Sequence, residues 1–373
     1  VSSLLKRSDI DTVYVCTDSG REGEYIYRLV AQMAGVKGKQ EKRVWIDSQT
    51  EEEILRGIRE AKSLSEYDNL AASAYLRAKE DYLMGINFSR ALTLKYGPAI
   101  ANFMGSKWTV VSVGRVMTCV LGMAVRRERE IRSFVKTPFY RVIGTFQQDG
   151  MDFQAEWKAA EGSRYFQSPA LYRDNGFKER EKAEELIRFL SEKPPMSGTV
   201  LSVEKKKETK NPPLLYNLAE LQNDCSKMFK ISPDETLRIV QELYEKKLVT
   251  YPRTDSQYLT DDMEENAFLV IDAVNRVFPE ISMKGSEPEI KRLLNSKKVS
   301  DHHAIIPTVE IANTDLKALP GGEKEILMLI ASKLLCASEQ EYIYESIKTE
   351  ISCHGELFTA SGKNVLQYGW KEV

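Results

Sequence analysis

The sequence predicts a multidomain α+β protein: an α/β unit at the amino end, helical domains, and a β-rich domain built from two separated segments. Three observations point there. Strand-like and helix-like runs alternate up to about residue 65. Apolar residues then recur at helical spacing as far as Phe134. Two-residue alternation occupies 138–210 and returns over 342–373, on either side of a mostly helical block at 211–341. The boundaries that follow are 1–65 for the α/β unit, 66–137 for a first helical domain, 138–210 and 342–373 for the two β segments, and 211–341 for a second helical domain inserted between them. The 373 residues exceed one ordinary hydrophobic core, which predicts roughly two to four domains.

The elements follow in order. "DTVYVCTD" (11–18) is a β-branched and aromatic run ending in an acid, the pattern of a buried strand. In "SGREGEYIYRLVAQMAGV", Gly20 and Gly23 predict a turn, and the apolar spacing from Tyr25 to Met33 predicts a helix. "KRVWID" (42–47) reads as a second strand. "SQTEEEILRGIREAK" reads as a helix capped by Ser48 or Thr50, with acids in its first turn. The pattern from Tyr67 to Phe134 is helical throughout, and the dense charges at its end are simplest as a solvated face. Past Pro138, "FYRVIGTFQQDGMDFQAEW" alternates around Asp149-Gly150, a hairpin signal. "GTVLSVEKKKETK" is a further strand, and "YIYESIKTEISCHGELFTASG" resumes the alternation after the helical block.

Composition narrows the class of function. Hydrophobic residues at 42% and charged residues at 29% describe a soluble globular protein. No apolar run approaches the ~20 residues that span a bilayer, and no secretory signal opens the chain. It begins Val1-Ser2-Ser3 rather than with Met, as a piece of a longer protein would. A net charge of −2 argues against wholesale coating of nucleic acid, yet leaves room for a local basic channel. The five cysteines are scattered, with no C-x-x-C, so neither a zinc ribbon nor a disulfide framework is indicated. A reducing, cytoplasmic setting fits that usage.

Three stretches carry chemistry. In "CTDSGREGE", Asp18 ends a predicted strand, where open α/β sheets place ligands. Glu22 and Glu24 follow on a glycine-rich turn, a grouping that suits Mg²⁺ or, equally, an acidic helix start stabilised by the dipole. In "KKLVTYPRTDSQY" (246–258), Pro252 biases Tyr251 toward an extended backbone. Arg253, two residues on, then shares its face. A phenol with a pKa of about 10 is a weak nucleophile without help, and a guanidinium beside it could stabilise charge on a phosphate. A strand end followed by an Asp/Ser turn is the plainer reading. "DHHAIIPT" (301–308) holds two of the three histidines. His302 or His303 could shuttle a proton or contact a phosphate, or serve only as structural histidines. No third ligand lies at metal-binding spacing.

Taken together, these stretches resemble type IA DNA topoisomerases, most closely the bacterial topoisomerase III branch. "TDSGREGE" resembles the family's Toprim motif, "YLRAKEDYLMGINFSRAL" the helical segment ahead of the DNA groove, and "SVGRVMT" the S-x-G-R-V-Q-T motif. The run from "NPPLLYNLAEL" into "TYPRTDS" resembles the approach to the nucleophile, and "HHAIIPT" the H-x-A-I-x-P-T motif. The five occur in the family's order and span nearly the whole chain. The resemblance implies a toroidal architecture: a partial Toprim-like α/β unit, helical domains and a two-segment β-rich hinge. It implies Tyr251 as nucleophile, Arg253 as its phosphate-stabilising partner, and His302 as the first motif histidine. Asp18 and Glu22 match two of three acids in the D-x-D-x-E metal motif, and Glu24 the acid that follows. Arg77 and Asp81 match a basic–acidic pair implicated in DNA binding and gate closure, and Ser112 and Arg115 a motif that contacts the DNA backbone. Lys246 and Lys247 are candidates for phosphate contact; Lys205 to Lys207 read more simply as solvated surface.

Three departures from the family pattern stand out. Gly20 replaces the middle metal-binding acid, which puts the number of metal ions in doubt. Met117 replaces the usual Gln. The chain also starts after the family's glutamate-bearing first strand and stops before its closing helical segment, as an internal fragment would. The implied reaction is ATP-independent: Tyr251 cleaves single-stranded or negatively supercoiled DNA, forms a 5′-phosphotyrosine, and religates after strand passage, with Mg²⁺ as cofactor. No G-x-x-x-x-G-K-[ST] loop occurs. Bacterial cytoplasm, with nucleoid or mobile-element association, is the implied location, with a helicase as an optional partner. Two rival readings stay open: a non-catalytic fragment that binds single-stranded DNA, and a Toprim nuclease cutting hydrolytically at Asp18, Glu22 and Glu24.

Overall fold

The computed structural model describes residues 1–46, 51–192, 197–283 and 287–373. It contains two compact units. The first gathers Val1–Phe134, Leu214–Ser282 and Glu289–Leu334, and the second Val135–Pro213 and Leu335–Val373.

In the first unit a short helix, α1 (Ser2–Leu5), leads to strand β1 (Thr12–Val15) and helix α2 (Arg21–Ala34). Gly35 ends α2 in the left-handed conformation, at φ 67°. Strand β2 (Gln40–Arg43), helix α3 (Glu51–Arg59) and strand β3 (Lys62–Ser63) follow. The sheet order is β1-β2-β3, with β1 parallel to β2 and β2 antiparallel to β3. The second strand thus precedes the apolar "VWI" expected to form it. Its polar sequence tolerates the centre of this sheet because Arg43, though buried, is fully hydrogen-bonded to loop carbonyls at the NH1 end. The caps expected at Ser48 and Thr50 lie outside the described residues.

The stretch expected to be helical to Phe134 is two helices. Helix α4 (Asp68–Phe103) has 36 residues. It stops at Gly105, whose φ of 66° an L side chain rarely adopts, and Ser106 N–H bonds back to Ala101 O at 2.9 Å. Helix α5 (Arg115–Ser133) begins ten residues later, and none of its residues is buried. Between them the chain runs back along α4. Position by position at i+4 spacing, Gly85, Ser89, Thr93 and Gly97 receive it: Ser89 Oγ accepts Val113 N–H at 2.8 Å, Thr93 Oγ1 accepts Val111 N–H at 3.0 Å, and a Cβ at Gly97 would stand 3.1 Å from Thr109 O.

The second unit opens with strands β4 (Ile143–Gln148) and β5 (Met151–Lys158), joined by Asp149 and Gly150 at φ 50° and 80°, the positive pair a tight hairpin requires. Strands β6 (Leu171–Arg173) and β7 (Gly176–Phe177), helix α6 (Arg180–Ser191) and strand β8 (Thr199–Lys210) follow. The intervening block, in the first unit, holds α7 (Leu218–Phe229), α8 (Pro233–Glu245) and α9 (Glu264–Val277), and α10 (Glu323–Ser338) starts in it and ends in the second unit. It is less helical than expected, since 246–263 and 278–322 are extended or form only short 3-10 turns among the described residues. Strands β9 (Tyr342–Cys353) and β10 (Glu356–Gln367) complete a five-stranded sheet in the order β4-β5-β10-β9-β8. Its core stacks Trp157 on Phe177 at 4.9 Å and packs both against Leu186, Ile351 and Phe358.

Candidate active site

The site belongs to the first unit and starts at the turn after β1. Gly23 is required there, because a Cβ would collide with Asp18 O. Thr17 Oγ1 donates to Gly23 O at 2.8 Å and fixes the turn onto the start of α2. Arg43 organises it from below: its guanidinium donates to the carbonyls of Val15, Thr17 and Val44 at 2.7–3.0 Å, and to that of Asp18. Its Nε lies 2.9 Å from Glu24 Oε1, with both side chains fully buried.

This arrangement separates the acids that the sequence grouped. Glu24 is turned inward between Arg43 and Arg28, so it serves the turn's framework and does not face the cleft with Asp18. Burial without a counter-charge would cost several kcal/mol, which the two guanidinium groups offset. Glu22 is exposed and pairs with Arg77 at 2.9 Å. Asp18 is exposed and lines a cleft of ≈ 660 Å³. Among the described residues no three His, Cys, Asp or Glu side chains stand close enough to hold a metal by themselves.

Tyr251 lines the same cleft. The two threonines that bracket it explain how. Thr250 N–H donates to Ile306 O at 3.0 Å, and its hydroxyl bridges Ala304 O and Ile306 N–H, each at 3.0 Å. Thr254 Oγ1 donates to His302 O at 2.7 Å. Thr308 N–H closes the pairing on Leu248 O at 3.0 Å. Residues 248–254 and 302–308 therefore run side by side, which sets the His302 ring 4.4 Å from the Tyr251 ring, centroid to centroid. Tyr244, on α8, meets the phenol from another side, edge-on at 5.3 Å.

His303 also lines the cleft, but its Nδ1 lies 2.9 Å from Ala304 O, and burial pushes the imidazole below the usual histidine value. Arg253 is exposed and is not among the residues lining the cleft, so the shared face expected of an extended 251–253 does not bring it in. The Thr254 N–H bond to Pro252 O, at 3.0 Å, marks a tight turn there.

The remaining candidates rearrange. Arg77 and Asp81 do not pair with each other. Arg77 reaches Glu22, and Asp81 receives Arg115 in a two-pronged pair at 2.9 and 3.2 Å, which holds the Asp81 carboxyl below its usual range. Ser112 is exposed beside it, on the segment that Ser89 and Thr93 strap to α4. Lys246 Nζ is held by both oxygens of the buried Glu323 at 2.6 Å, a structural pair that argues against a free phosphate contact. Lys247 lines the cleft.

Sequence reasoning passed over Arg43, Tyr244 and Asp301. Arg43 looked like an ordinary strand residue. Asp301 was visible only as the first letter of the histidine motif, yet its carboxylate fills the space beside Gly20: a Cβ there would collide with Oδ1 and stand 2.8 Å from Cγ and Oδ2. Burial raises the Asp301 carboxyl above its usual range; His302 opposes this, Asp255 and Asp18 add to it, and Arg21 opposes.

Comparison with known proteins finds relatives along the whole chain. A family model described as DNA topoisomerase matches residues 65–373. The DNA topoisomerase 3 of Bacillus subtilis strain 168 is 36% identical over 379 residues, covering 100% of this chain and 48% of the relative. That of Bacillus licheniformis is 35% identical over the same shares. The chain thus spans about half the length of the curated relatives it matches. Full-length topoisomerase I from Thermotoga maritima superposes with a TM-score of 0.66 over 100% of this chain and 56% of that one, at 22% identity, a likeness of fold.

Proposed function

This chain belongs to the type IA DNA topoisomerase family, and from that premise we propose that it carries the cleavage centre of an ATP-independent DNA topoisomerase of the topoisomerase III kind, with Tyr251 as nucleophile. The observation that supports this most is the convergence of Tyr251, His302 and Asp18 on one cleft, although 233 residues of sequence separate Asp18 from Tyr251.

The reaction is transesterification. The Tyr251 oxygen attacks phosphorus in a DNA strand, loses its proton, and displaces the 3′ oxygen, which takes up a proton. A phosphotyrosine ester to the 5′ side remains, and reversal reseals the strand with no external energy source. His302, packed against the phenol, is positioned to hold a proton or a phosphate oxygen. Lys247 adds positive charge at the cleft wall, and Arg253 serves a phosphate reached from outside the cleft. Ser89 and Thr93 hold the strap along α4, the Arg115–Asp81 pair lies at its end, and Ser112 is exposed on it where the family resemblance expects the DNA backbone. Single-stranded or underwound DNA is the substrate, bound chiefly through phosphate charge.

Mg²⁺ is the cofactor we assign, and the donor set fits it in one respect and not in another. Mg²⁺ commonly takes one or two protein carboxylates plus phosphate oxygens and waters. Asp18 meets that need; Glu22, paired with Arg77, and Glu24, locked by Arg43, do not line the cleft. When bound, Mg²⁺ supplies positive charge for the non-bridging oxygens.

The test is incubation with a labelled single-stranded oligonucleotide and Mg²⁺, denaturation, and a search for a covalent adduct. The parent chain forms one, and Tyr251→Phe binds the oligonucleotide without forming one. Binding by the parent with no adduct would favour a non-catalytic DNA-binding role, and metal-dependent cutting that survives Tyr251→Phe would favour a nuclease.

A further inference from the structure

The proposed reaction gives no part to His303, which occupies the variable place of H-x-A-I-x-P-T yet lines the cleft with Tyr251. Its Nδ1 lies 2.9 Å from Ala304 O. A carbonyl oxygen only accepts, so Nδ1 carries the proton, and in the neutral ring Nε2 is a bare acceptor. The same carbonyl accepts the Thr250 hydroxyl at 3.0 Å, which fixes it in place. Burial holds the imidazole below the usual histidine value; the Ala304 carbonyl opposes this, His302 adds to it, and Asp262 opposes. Among the described residues, Nε2 has no hydrogen-bond partner.

A second group with unused bonding capacity lines the same space. Asn266, in the first turn of α9, lines the cleft, and its carboxamide has no hydrogen-bond partner among the described residues. His303 feels the charge of Asp262, which places the imidazole near that end of α9. Met263 and Val249, both buried, add apolar wall. The cleft thus combines an acceptor-only nitrogen, an amide offering donor and acceptor side by side, and a thioether, a soft surface for an aromatic ring.

We propose that this side of the cleft is a nucleobase subsite, in which His303 and Asn266 select a base with an exocyclic amine beside a ring-nitrogen acceptor, as adenine and cytosine have. This rests on the reading of Tyr251 as nucleophile, because the base belongs to a nucleotide next to the phosphate that Tyr251 attacks. Asn266 pairs with the amine and the ring nitrogen in bidentate fashion, and His303 Nε2 accepts the second amine hydrogen. Thymine and guanine carry a carbonyl oxygen where the amine would stand. Two lone pairs then meet, and the imidazole is left unpaired. His302 packs against the phenol and His303 follows it in sequence, so one segment serves both the reacting phosphate and its base.

The test uses the Tyr251→Phe chain, which cannot cleave, and follows its binding to labelled single-stranded nonamers by fluorescence anisotropy. Two pairs of nonamers differ in the amine: deoxyadenosine against purine deoxyriboside, which lacks it, and deoxycytidine against deoxyuridine, which has oxygen in its place. In at least one pair the amine-bearing nonamer binds more tightly by about tenfold, and that pair identifies the base. Adding His303→Ala or Asn266→Ala brings the ratio to within about twofold of unity, chiefly by weakening the amine-bearing nonamer. A merely structural role would weaken both members of a pair alike. Asn266 is exposed, so its variant decides the matter where His303→Ala fails to fold. The proposal is overturned if the folded protein binds none of the nonamers, if neither pair shows a ratio, or if the ratio survives Asn266→Ala. A covalent adduct in the parent without a ratio sinks the subsite alone. A ratio that Asn266→Ala abolishes, without an adduct in the parent, sinks the role of Tyr251 and leaves a base-selective cleft.

Discussion

Lys247 sits where helix geometry usually puts glycine. Helix α8 ends in a Schellman arrangement: Leu248 N–H bonds to Leu243 O at 2.9 Å and Lys247 N–H to Tyr244 O at 2.8 Å. The residue at the turn must be left-handed, and Lys247 has φ 63°. For a side chain with a Cβ that costs about 1–2 kcal/mol. A strained lysine at the wall of the Tyr251 cleft suggests charge kept at the expense of stability. Its neighbour Lys246 is spent on Glu323, so the phosphate role falls to Lys247. Lys247→Gly is expected to raise stability in urea by up to about 1 kcal/mol, less the extra entropy of glycine in the unfolded chain. The same change lowers affinity for single-stranded DNA and reduces the salt dependence of binding by about 0.7 in log–log slope. A loss of stability, or an unchanged slope, would remove the case for this residue.

At the scale of elements, the α4 row of Asp81, Gly85, Ser89, Thr93 and Gly97 does what a helix surface of larger residues could not. Its small members let an extended backbone lie close, and its hydroxyls satisfy the amides of Val111 and Val113. Changing Ser89 and Thr93 together to Ala leaves both amides unpaired at partly buried positions, at about 1–3 kcal/mol each if no water replaces the hydroxyls. The expected result is local: hydrogen exchange at Val111 and Val113 quickens by at least about tenfold, with little change in exchange along α8. Equal exchange in parent and variant would show that the strap is held by other contacts. This row also marks a limit of sequence reading. Helical spacing on both sides of 104–114 made the whole stretch read as helical, and only Gly105 signalled the break. The hairpins were legible because Asp149-Gly150 carries its own turn chemistry. Strand β2 was misplaced because the apolar "VWI" drew attention away from a polar strand whose Arg43 is buried by bonding, a compensation invisible in one dimension. The cleft was legible in part for the same reason: Tyr251 and His302 belong to motifs, whereas the sequestering of Glu24 and the approach of Asp301 to Gly20 depend on contacts between distant segments.

The second unit poses a question of the chain as a whole, because its sheet is assembled from residues roughly 200 apart in sequence, as in the Trp157–Glu356 pair. The order β4-β5-β10-β9-β8 puts the late β9–β10 hairpin at the centre and the early strands at both sides. The early segment therefore holds only a two-stranded hairpin and a separate strand β8, which share no ladder until residues 342–367 arrive. An isolated hairpin is marginal in water, and here its anchor also comes late: buried Glu356 accepts Trp157 Nε1–H at 2.8 Å and Arg164 N–H at 2.9 Å. A chain ending at Glu341 is thus expected to lose amide protection throughout Ile143–Lys158, while α8 and the Tyr251 segment keep theirs, as measured by hydrogen exchange. Adding a peptide of residues 342–373 in trans should restore protection in 143–158, since the missing strands carry both the ladder partners and the Glu356 anchor. Retained protection in the truncated chain would mean that the early segment folds on its own core of Trp157, Phe177 and Leu186, and that the central hairpin is an addition to that core and not its condition.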